Sequence, residues 1–248
     1  MRIRVLSYNI HKGFDQWGAK FVLSQLKEAL LQVRPQILFL QEVVGSNPAL
    51  HKKNQIPHES QFEFLADTIW THHSYGQNAS FPNRHHGNAI LSDYEILRSE
   101  NLDISTNRWE RRGLQSALIN VEGRILSVHN THLDLLESGR GIQLNRILAR
   151  IQDFSESRSP LILAGDFNDW TRTGHRHMRE QTDFQEVCEV AYGQVMPSFP
   201  SFYPLLCLDR IYFRGLRVQS VQRLEGLPWS GLSDHLPLMV DFIWEEEK

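Results

Sequence analysis

The stretch LAGDFNDW, residues 163–170, joins an apolar strand to a cluster of oxygen-bearing side chains. The run that leads into it, PLILAG, has no polar side chain, which is typical of a strand buried on both faces. It ends in Asp166, Asn168 and Asp169. Asp and Asn are common turn formers, so the meaning of this ending depends on whether other strands end in the same way.

Similar polar endings follow most of the other apolar runs. Their members are Asn9 in VLSYNI, Gln41 and Glu42 in ILFLQEV, Asn130, His132 and Asp134 in ILSVHNTHLD, Asp209 in LLCLDRIYF, and Asp234 and His235 in GLSDHLPLMV. In layered sheet folds the strand ends converge on one crevice, where ligand sites form, so we expect these clusters to meet there. Asp209 lies inside an apolar run and needs a cation or a hydrogen-bond donor, a role that a histidine would fill.

The composition is that of a soluble globular protein. The chain has 248 residues, of which 41% are hydrophobic and 22% are charged. Its net charge of −3 gives no attraction of the whole chain to polyanions, so contact with nucleic acid or membrane would require a local basic patch. Cys188 and Cys207 are too few for a disulfide framework and are interpreted as reduced core residues, with a single disulfide as the alternative.

The N-terminal sequence MRIRVLSYNI alternates between polar and apolar residues and predicts a strand. No signal-peptide pattern precedes it. No apolar run approaches the roughly 18–20 residues that a membrane span requires. We expect a cytoplasmic monomer without a transmembrane segment.

The order of the apolar patterns predicts one domain, residues 1–248, of the α/β class. Three helical patterns cover residues 18–33, 59–70 and 139–154. Strand-like runs cover residues 3–10, 37–43, 88–91, 115–121, 124–130, 161–164, 208–213, 217–224 and 237–244. Because strands far outnumber helices, two stacked sheets with helices outside are favoured over a single doubly wound sheet.

The clustered side chains offer hard oxygen ligands and no thiolate, a set that suits Mg²⁺ or Mn²⁺ rather than Zn²⁺. His129 and His132 are three apart on a strand and face opposite sides, so joint ligation of a metal is not expected. Asp166 and Asn168 are two apart and share a face if the chain stays extended. A divalent metal beside Asp and His is the equipment for phosphate-ester hydrolysis.

Taken in order, seven motifs resemble those of the endonuclease/exonuclease/phosphatase superfamily, which includes pancreatic-type deoxyribonuclease and bacterial sphingomyelinases. They are YNIHKG, LQEV, HGNAILS, NTHLD, GDFND, LDRIYF and SDHLPL. The match extends from Asn9 to His235, essentially the whole chain, and looks closest to short, stand-alone bacterial members. The resemblance implies a metal-dependent phosphoric ester hydrolase with a four-layer α/β/β/α sandwich, in which helices cover two mostly antiparallel sheets.

The resemblance also implies catalytic roles for five residues. Asp166 would orient or deprotonate the attacking water, and Asn168 would stabilise the charged transition state and help to hold Asp166. His235 would bind or protonate a phosphate oxygen, with Asp209 fixing its tautomer and raising its pKa. His132 matches a second histidine of the deoxyribonuclease and sphingomyelinase branches.

Three further residues are implied as metal ligands or their neighbours. Glu42 would be the principal ligand of Mg²⁺, for which Mn²⁺ can substitute. Asn9 would lie beside it, and Asp234 would lie near the metal. His11 stands where abasic-site enzymes carry a metal-binding Asp, which argues against that branch of the superfamily and against a second metal.

Two residues are implied as contacts of the substrate phosphate. Arg112, in ERRGLQSAL, precedes a strand at a position where related nucleases often carry a phosphate-binding Arg. Arg111 matches that position equally well if the alignment is shifted by one residue. Asn88, in HGNAILS, is the second expected contact.

The substrate class stays open at this stage. The basic segment DWTRTGHRHMR, residues 169–179, suits a nucleic-acid backbone and a stacked base, so the first hypothesis is a nuclease that cleaves DNA. The apolar segment PSFPSFYPLL, residues 197–206, suits a lip near a lipid head group. The alternative is therefore a sphingomyelinase-like lipid or small-molecule phosphodiesterase or phosphatase on the same site. A catalytically silent binding protein is the hypothesis from a different class.

Overall fold

The computed structural model describes residues 1–54, 60–67, 69–155 and 159–244. The strands in these residues are β1 (Arg2–Asn9), β2 (Ile37–Ser46), β3 (His72–Phe81), β4 (Arg84–Ser92), β5 (Glu95–Asp103), β6 (Gly113–Val121), β7 (Arg124–His132), β8 (Leu161–Asp166), β9 (Gln185–Glu186), β10 (Asp209–Arg214), β11 (Arg217–Arg223) and β12 (Leu238–Ile243). The α-helices are α1 (Leu23–Val33), α2 (Pro48–Asn54), α3 (Gln61–Ala66), α4 (Glu137–Phe154), α5 (Thr173–Gln181), α6 (Val187–Tyr192) and α7 (Trp229–Leu232). None of the helices in these ranges has the length and apolar composition needed to cross a bilayer.

The strands form two six-stranded sheets. The first has the order β11-β12-β1-β2-β4-β3 and the second the order β5-β6-β7-β8-β10-β9. Each sheet contains one parallel pair, β1 with β2 and β7 with β8, and its other neighbours are antiparallel. The predicted pair of mostly antiparallel sheets is therefore confirmed.

The apolar side chains fill three contact layers, which makes four layers of secondary structure. Between the sheets, residues such as Phe39 of β2 and Ile162 of β8 are completely buried in one core. Outside the first sheet, α1 packs Leu26 against it, and outside the second sheet α4 packs Ile147. The alternation of buried and exposed positions on the helices follows the 3.6-residue repeat that the sequence shows.

The strands that the sequence patterns missed lie at sheet edges. β3, β5 and β9 are edge strands, and the first two carry mostly polar or half-exposed side chains. An edge strand buries few side chains, so its sequence lacks the apolar run that marks a central strand. The pattern therefore identified the central strands of each sheet and the edge strand β11, but not the other three edge strands of the described residues.

All three predicted helices are confirmed with different ends: α4 begins two residues before the predicted residue 139, and the other two are shorter than predicted. The pattern over residues 18–33 becomes a helix only from Leu23, and this helix ends before Arg34, which has a φ of 43° and precedes Pro35. The pattern over residues 59–70 becomes the shorter α3, whose N-cap Ser60 accepts a hydrogen bond from the backbone N–H of Glu63. Residues 59 and 68 of that prediction lie outside the described residues.

The two parallel pairs bring polar strand ends to the same end of the sandwich. Asn9 is paired with Gln41 across β1 and β2, and His132 is paired with Asp166 across β7 and β8. Gly165 makes the second pairing possible, since a Cβ at this position would lie 1.9 Å from the backbone oxygen of Thr131. A side chain here would push β8 away from β7.

A buried polar contact joins the two sheets beneath that end. The Gln41 amide nitrogen donates to the Asn130 Oδ1 at 2.8 Å. The Asn130 amide nitrogen in turn donates to the backbone oxygens of Leu40 and Ala89, at 3.0 Å each. Two members of the strand-end clusters therefore fix the distance between the sheets and do not face a ligand.

Candidate active site

Asp166 lies at the centre of the converging strand ends and is almost completely buried. Its Oδ2 accepts a hydrogen bond from the Asn9 amide nitrogen at 3.0 Å. The same oxygen lies 3.4 Å from His132 Nε2 and 3.6 Å from His235 Nε2. Strands β1, β7 and β8 and the segment before β12 thus meet at one carboxylate.

His235 is held by a second buried carboxylate on its far side. Its Nδ1 lies 2.8 Å from Asp209 Oδ2, and the Ser198 hydroxyl donates to that same oxygen. The carboxylate therefore fixes the Nδ1–H tautomer, and Nε2 points towards Asp166. Burial alone would lower the pKa of His235, but the charges of Asp209 and Asp166 outweigh it and raise the pKa to about 10.

The two other titratable groups of this centre have pKa values shifted by burial. Burial raises the pKa of Asp166 above its ordinary value, although the His235 charge and the hydrogen bond from the Asn168 backbone N–H oppose the rise. Burial also lowers the pKa of His132 well below 6.5, and the nearby Arg112 adds to that shift. At neutral pH the arrangement therefore contains one charged and one neutral imidazole on either side of the carboxylate.

Asn168 is positioned by strained backbone. Its φ of 48° lies in the left-handed region, which a non-glycine residue adopts at a cost of order 1–3 kcal/mol. Its backbone N–H donates to Asp166 Oδ1 at 3.0 Å, and its side-chain nitrogen donates to the Leu133 backbone oxygen at 2.9 Å. The turn after β8 therefore returns the amide to the same rim as the carboxylate. The expectation that Asp166 and Asn168 share a face of an extended chain is therefore wrong, because the backbone turns at Asn168.

Glu42 reaches the rim from a β-bulge in β2. The register between β2 and β4 shifts between Leu40 and Val43, and Glu42 has a left-handed φ of 56°. Its Oε1 lies 3.5 Å from the Asn9 amide nitrogen and its Oε2 lies 3.2 Å from Lys12 Nζ. Burial would raise the pKa of Glu42, but the attraction of His132 and Lys12 outweighs it and lowers the pKa to about 2.

The oxygen atoms beside Glu42 fit a hard divalent cation. The Glu42 carboxylate stays ionised and already attracts a cation, the Lys12 ammonium. Carboxylate oxygen is the ligand type that Mg²⁺ and Mn²⁺ prefer, and the Asn9 amide nitrogen lies between the carboxylates of Glu42 and Asp166.

Asp166, Asp209 and His235 form a second group close enough to hold a metal, with ligand atoms within 4.8 Å of one another. In that group, however, Asp209 and His235 are already hydrogen-bonded to each other.

Asp234 lies on the same side, farther from the centre. One of its oxygens is 3.7 Å from His11 Nδ1, and its side chain is partly exposed. The Asp234 backbone oxygen accepts a hydrogen bond from Ser201, which ties the loop before β10 to the rim. The structure therefore places Asp234 at the edge of the group.

Asn88 and Arg112 line a cavity of about 190 Å³ that also touches Glu42 and His132. Within the described residues, the Asn88 amide nitrogen and the Arg112 Nε are buried and have no hydrogen-bond partner. Both expected phosphate contacts thus carry free donors beside the centre. Arg111 also lines this cavity, but its guanidinium is half-exposed and lies 3.6 Å from Asp103, so the register with Arg112 is favoured.

Other polar strand ends serve the fold. Asp169 accepts hydrogen bonds from the backbone N–H groups of Gly174 and His175 at the start of α5, and Asp134 binds the loop that contains Thr106. His129 lies buried between two serine hydroxyls, as a core histidine does. Polarity at a strand end does not by itself distinguish these residues from the members of the site.

Sequence patterns missed three residues of the site. Ser198 donates to Asp209, Lys12 lies beside Glu42, and the Phe199 ring lies 4.9 Å from the His235 ring. Lys12 lies inside the YNIHKG motif, although no role was assigned to it. Ser198 and Phe199 are distant in sequence from every motif except that of Asp209, so their role depends on the fold.

Comparison with known proteins identifies a family for the chain. Residues 6–235 match the model of the Endonuclease/Exonuclease/phosphatase family. An uncharacterized protein from Escherichia coli (strain K12), YbhP, is 38% identical over 242 residues, which are 96% of this chain and 95% of YbhP.

Solved structures share the fold at low sequence identity. The catalytic domain of human nocturnin with a bound sulfate has a TM-score of 0.78 and 21% identity, covering 98% of this chain and 95% of that one. The mannosyl-6-phosphatase Bt3783 of Bacteroides thetaiotaomicron has a TM-score of 0.74 and 15% identity, with 97% and 99% covered. At these identities the likeness supports the fold and leaves the substrate open.

Proposed function

We propose that this chain, which belongs to the endonuclease/exonuclease/phosphatase family, is a Mg²⁺-dependent phosphodiesterase. The family consists of metal-dependent phosphoric ester hydrolases, and the chain is one of these enzymes. The observation that carries the finer proposal is the carboxylate of Asp166 between two imidazoles, with the ionised Glu42 beside it. This arrangement supplies a base, an acid and a metal ligand within one crevice.

Glu42 is the proposed principal ligand of the metal, with Asn9 next to it and Asp234 at the edge of the same rim. When bound, Mg²⁺ would offset phosphate charge and lower the barrier to attack by water. Asn88 and Arg112 are the proposed contacts of the phosphate oxygens, because both side chains line the cavity beside Glu42 and each has a buried donor without a partner among the described residues.

Hydrolysis requires one proton transfer from the attacking water and one to the leaving oxygen, and different side chains carry out the two. Asp166 accepts a proton from water as the water oxygen bonds to phosphorus, and its raised pKa makes it a stronger base than an ordinary aspartate. His235, which is protonated at neutral pH, donates its Nε2 proton to the leaving oxygen as the phosphorus–oxygen bond breaks. Asp209 stabilises the charged imidazole, and the Asn168 and His132 side chains bind the charge that develops on phosphorus oxygens.

A nuclease that cleaves DNA is the first proposed activity. The paired imidazoles of His132 and His235 are the feature that matches the deoxyribonuclease branch. The segment after Asn168 adds exposed Trp170, Arg172 and Arg176 near the same rim. Exposed aromatic and basic side chains together suit a nucleic-acid strand.

A lipid phosphodiesterase is the second candidate, favoured by one apolar surface. Trp17, Phe202, Tyr203 and Leu205 are each more than half exposed, and the Trp17 and Phe202 rings lie 5.1 Å apart. The loop that carries Phe202, Tyr203 and Leu205 also holds Phe199 against His235. Such a surface next to the site suits a membrane interface, where aromatic side chains with a polar end are enriched.

Hydrolysis of bis-p-nitrophenyl phosphate and of the corresponding monoester tests the proposal. We expect Mg²⁺-dependent release of nitrophenol from the diester, inhibition by EDTA, and loss of the activity in an Asp166→Asn variant. Plasmid DNA and phospholipid vesicles then distinguish the two candidates. Faster hydrolysis of the monoester, or a rate that EDTA and the variant leave unchanged, would refute the proposal.

The proposal treats residues 1–248 as one domain that acts as a cytoplasmic monomer. Light scattering after size-exclusion chromatography tests the oligomeric state, and limited proteolysis tests whether one stable unit contains the whole chain. Cell fractionation tests the location.

A further inference from the structure

We infer that the cavity beside Glu42 binds the nucleoside part of the substrate, so that the enzyme acts on a nucleotidyl phosphodiester. The inference rests on the proposed function and names the substrate class of the same site. The cavity is lined by Glu42 and His132 on the side of the reacting groups. Its other walls contain aromatic rings and free hydrogen-bond donors, which are the groups that recognise a base and a phosphate.

Two aromatic surfaces face the cavity from different loops. Trp109, between β5 and β6, is 87% exposed, and the Arg108 guanidinium lies 5.9 Å from its ring centroid. Across the cavity, Phe81 stacks on His86 with an interplanar angle of 21°, and Arg84 lies 5.0 Å from the Phe81 ring. A tryptophan this exposed adds almost nothing to the core, so its apolar surface is buried only when a ligand covers it.

The polar lining of the cavity is rich in donors. Asn88 is only 1% exposed, yet its amide nitrogen has no partner, and the buried Nε of Arg112 has none either, within the described residues. An unsatisfied buried donor is unfavourable unless a ligand supplies an acceptor. Phosphate oxygens and base carbonyls are such acceptors. The same walls carry three cationic side chains, Lys12, Arg111 and Arg112, against two carboxylates, Glu42 and Glu110.

A nucleotidyl group matches this combination better than a lipid head group does. Its flat base can stack on Trp109 or on the Phe81–His86 pair, while its phosphates meet the donors. The apolar surface of Trp17, Phe202, Tyr203 and Leu205 does not line this cavity; it lies beside His235. The two surfaces therefore predict different substrates, and variants of Trp109 and Trp17 separate them.

Fluorescence anisotropy of labelled hexathymidylate tests the inference without turnover. All proteins carry Asp166→Asn and are measured in Mg²⁺. We expect Trp109→Ala to weaken binding about 5- to 100-fold, because base–aromatic stacking contributes about 1–3 kcal/mol per base. Trp17→Ala, another exposed tryptophan outside the cavity, is the matched control and should bind as tightly as the parent. A probe of equal length with abasic sites should bind weakly and equally to all three.

Competition with unlabelled ligands identifies the source of the nucleotidyl group. Equal competition by a free thymidine dinucleotide indicates a small nucleotide diester, and competition only by longer strands indicates nucleic acid. Equal binding of the base-containing probe by the Trp109→Ala and parent proteins, or of the abasic and base-containing probes by the parent, would overturn the inference. So would binding of phosphatidylglycerol vesicles that is lost in Trp109→Ala and kept in Trp17→Ala.

Failure of the inference can be told apart from failure of the proposed function. If wild-type protein hydrolyses bis-p-nitrophenyl phosphate while Trp109→Ala leaves oligonucleotide binding unchanged, the function stands and the base site is refuted. If oligonucleotide binding depends on Trp109 but no diester is hydrolysed with Mg²⁺, the base site stands and the phosphodiesterase proposal is refuted.

Discussion

Two pairs of carboxylates lie at strand ends or directly after them in this molecule and are used in opposite ways. Asp134 and Asp169 come after β7 and β8, and their oxygens accept hydrogen bonds from the protein's own loops and helix starts. Asp166 and Asp209 lie at the ends of β8 and β10, and both contact the imidazole of His235. All four are almost completely buried, so burial does not separate the pairs.

The difference between the pairs lies in what occupies the carboxylate oxygens. In Asp169 both oxygens are filled by backbone N–H groups, which leaves no room for a ligand. Oδ2 of Asp166 is instead surrounded by one amide and two imidazole side chains, those of Asn9, His132 and His235. These groups can donate a hydrogen bond or transfer a proton. A carboxylate whose two oxygens both accept from the backbone stabilises the fold, while one like Asp166, with one oxygen held by a backbone N–H and the other among functional side chains, is available for catalysis.

The largest expected effect is that of Asp166→Asn. Removing the proposed base should lower kcat/KM for a phosphodiester by about 10²–10⁴-fold, the usual contribution of an acid–base group, with little change in the thermal midpoint. Steady-state kinetics and thermal unfolding measure the two quantities. Near-normal activity in this variant would show that Asp166 belongs with Asp169 as a structural residue.

His235→Gln should have an effect of similar size or slightly smaller. The amide keeps a hydrogen-bonding group near Asp209 but cannot donate a proton as a charged imidazole does, so turnover should fall by about 10²-fold or more. A substrate with a nitrophenolate leaving group needs less protonation and should lose less activity than a dialkyl diester. An equal loss for both substrates would contradict the proton donation.

Asp209→Asn should change the pH profile more than the maximal rate. The Asp209 charge helps to raise the pKa of His235 to about 10, so the wild-type alkaline limb lies near that pH and activity falls as His235 deprotonates. Without the charge, the pKa of His235 falls and the alkaline limb should move to lower pH. The acid limb belongs to Asp166, and it should also move to lower pH, because the Asp209 charge contributes to the raised pKa of Asp166. An unmoved alkaline limb would refute this coupling.

Asp169→Asn should have the smallest effect on catalysis and a measurable effect on stability. One oxygen that accepts from the start of α5 is lost with the charge, which should lower the free energy of unfolding by about 1 kcal/mol, as for other helix caps. Urea denaturation measures the loss, and kcat/KM should stay within a few-fold of wild type. A collapse of activity at unchanged stability would place Asp169 in the site.

Part of this comparison could be predicted from the sequence, because a charged residue inside an apolar run is expected to be buried. Asp209 in an apolar run required a partner, and the structure places His235 Nδ1 at 2.8 Å from it. The central strands were visible as apolar runs for the same reason. Asp166 and Asp169 occur in one stretch of five residues, GDFND, so polarity at the strand end does not distinguish them, and the position of α5 separates their roles.

Other features depend on three-dimensional context that no local pattern contains. The edge strands β3 and β5 bury little and have no apolar run. Ser198 reaches Asp209 because its loop crosses the rim, and Glu42 points into the crevice because a bulge interrupts β2. The orientation of a side chain at a bulge or in a loop is set by the packing of neighbouring strands, which a single sequence does not encode locally.

Calorimetric titration of Mn²⁺ or Mg²⁺ into wild-type and Glu42→Gln proteins tests the central claim most directly. The claim is that the side chains at the strand ends, with Glu42 as the principal ligand, hold a divalent metal next to a phosphodiester. We predict metal binding by wild type that Glu42→Gln weakens at least tenfold, with Asp134→Asn unchanged as the control. No binding by wild type, or equal binding by wild type and Glu42→Gln, would contradict it.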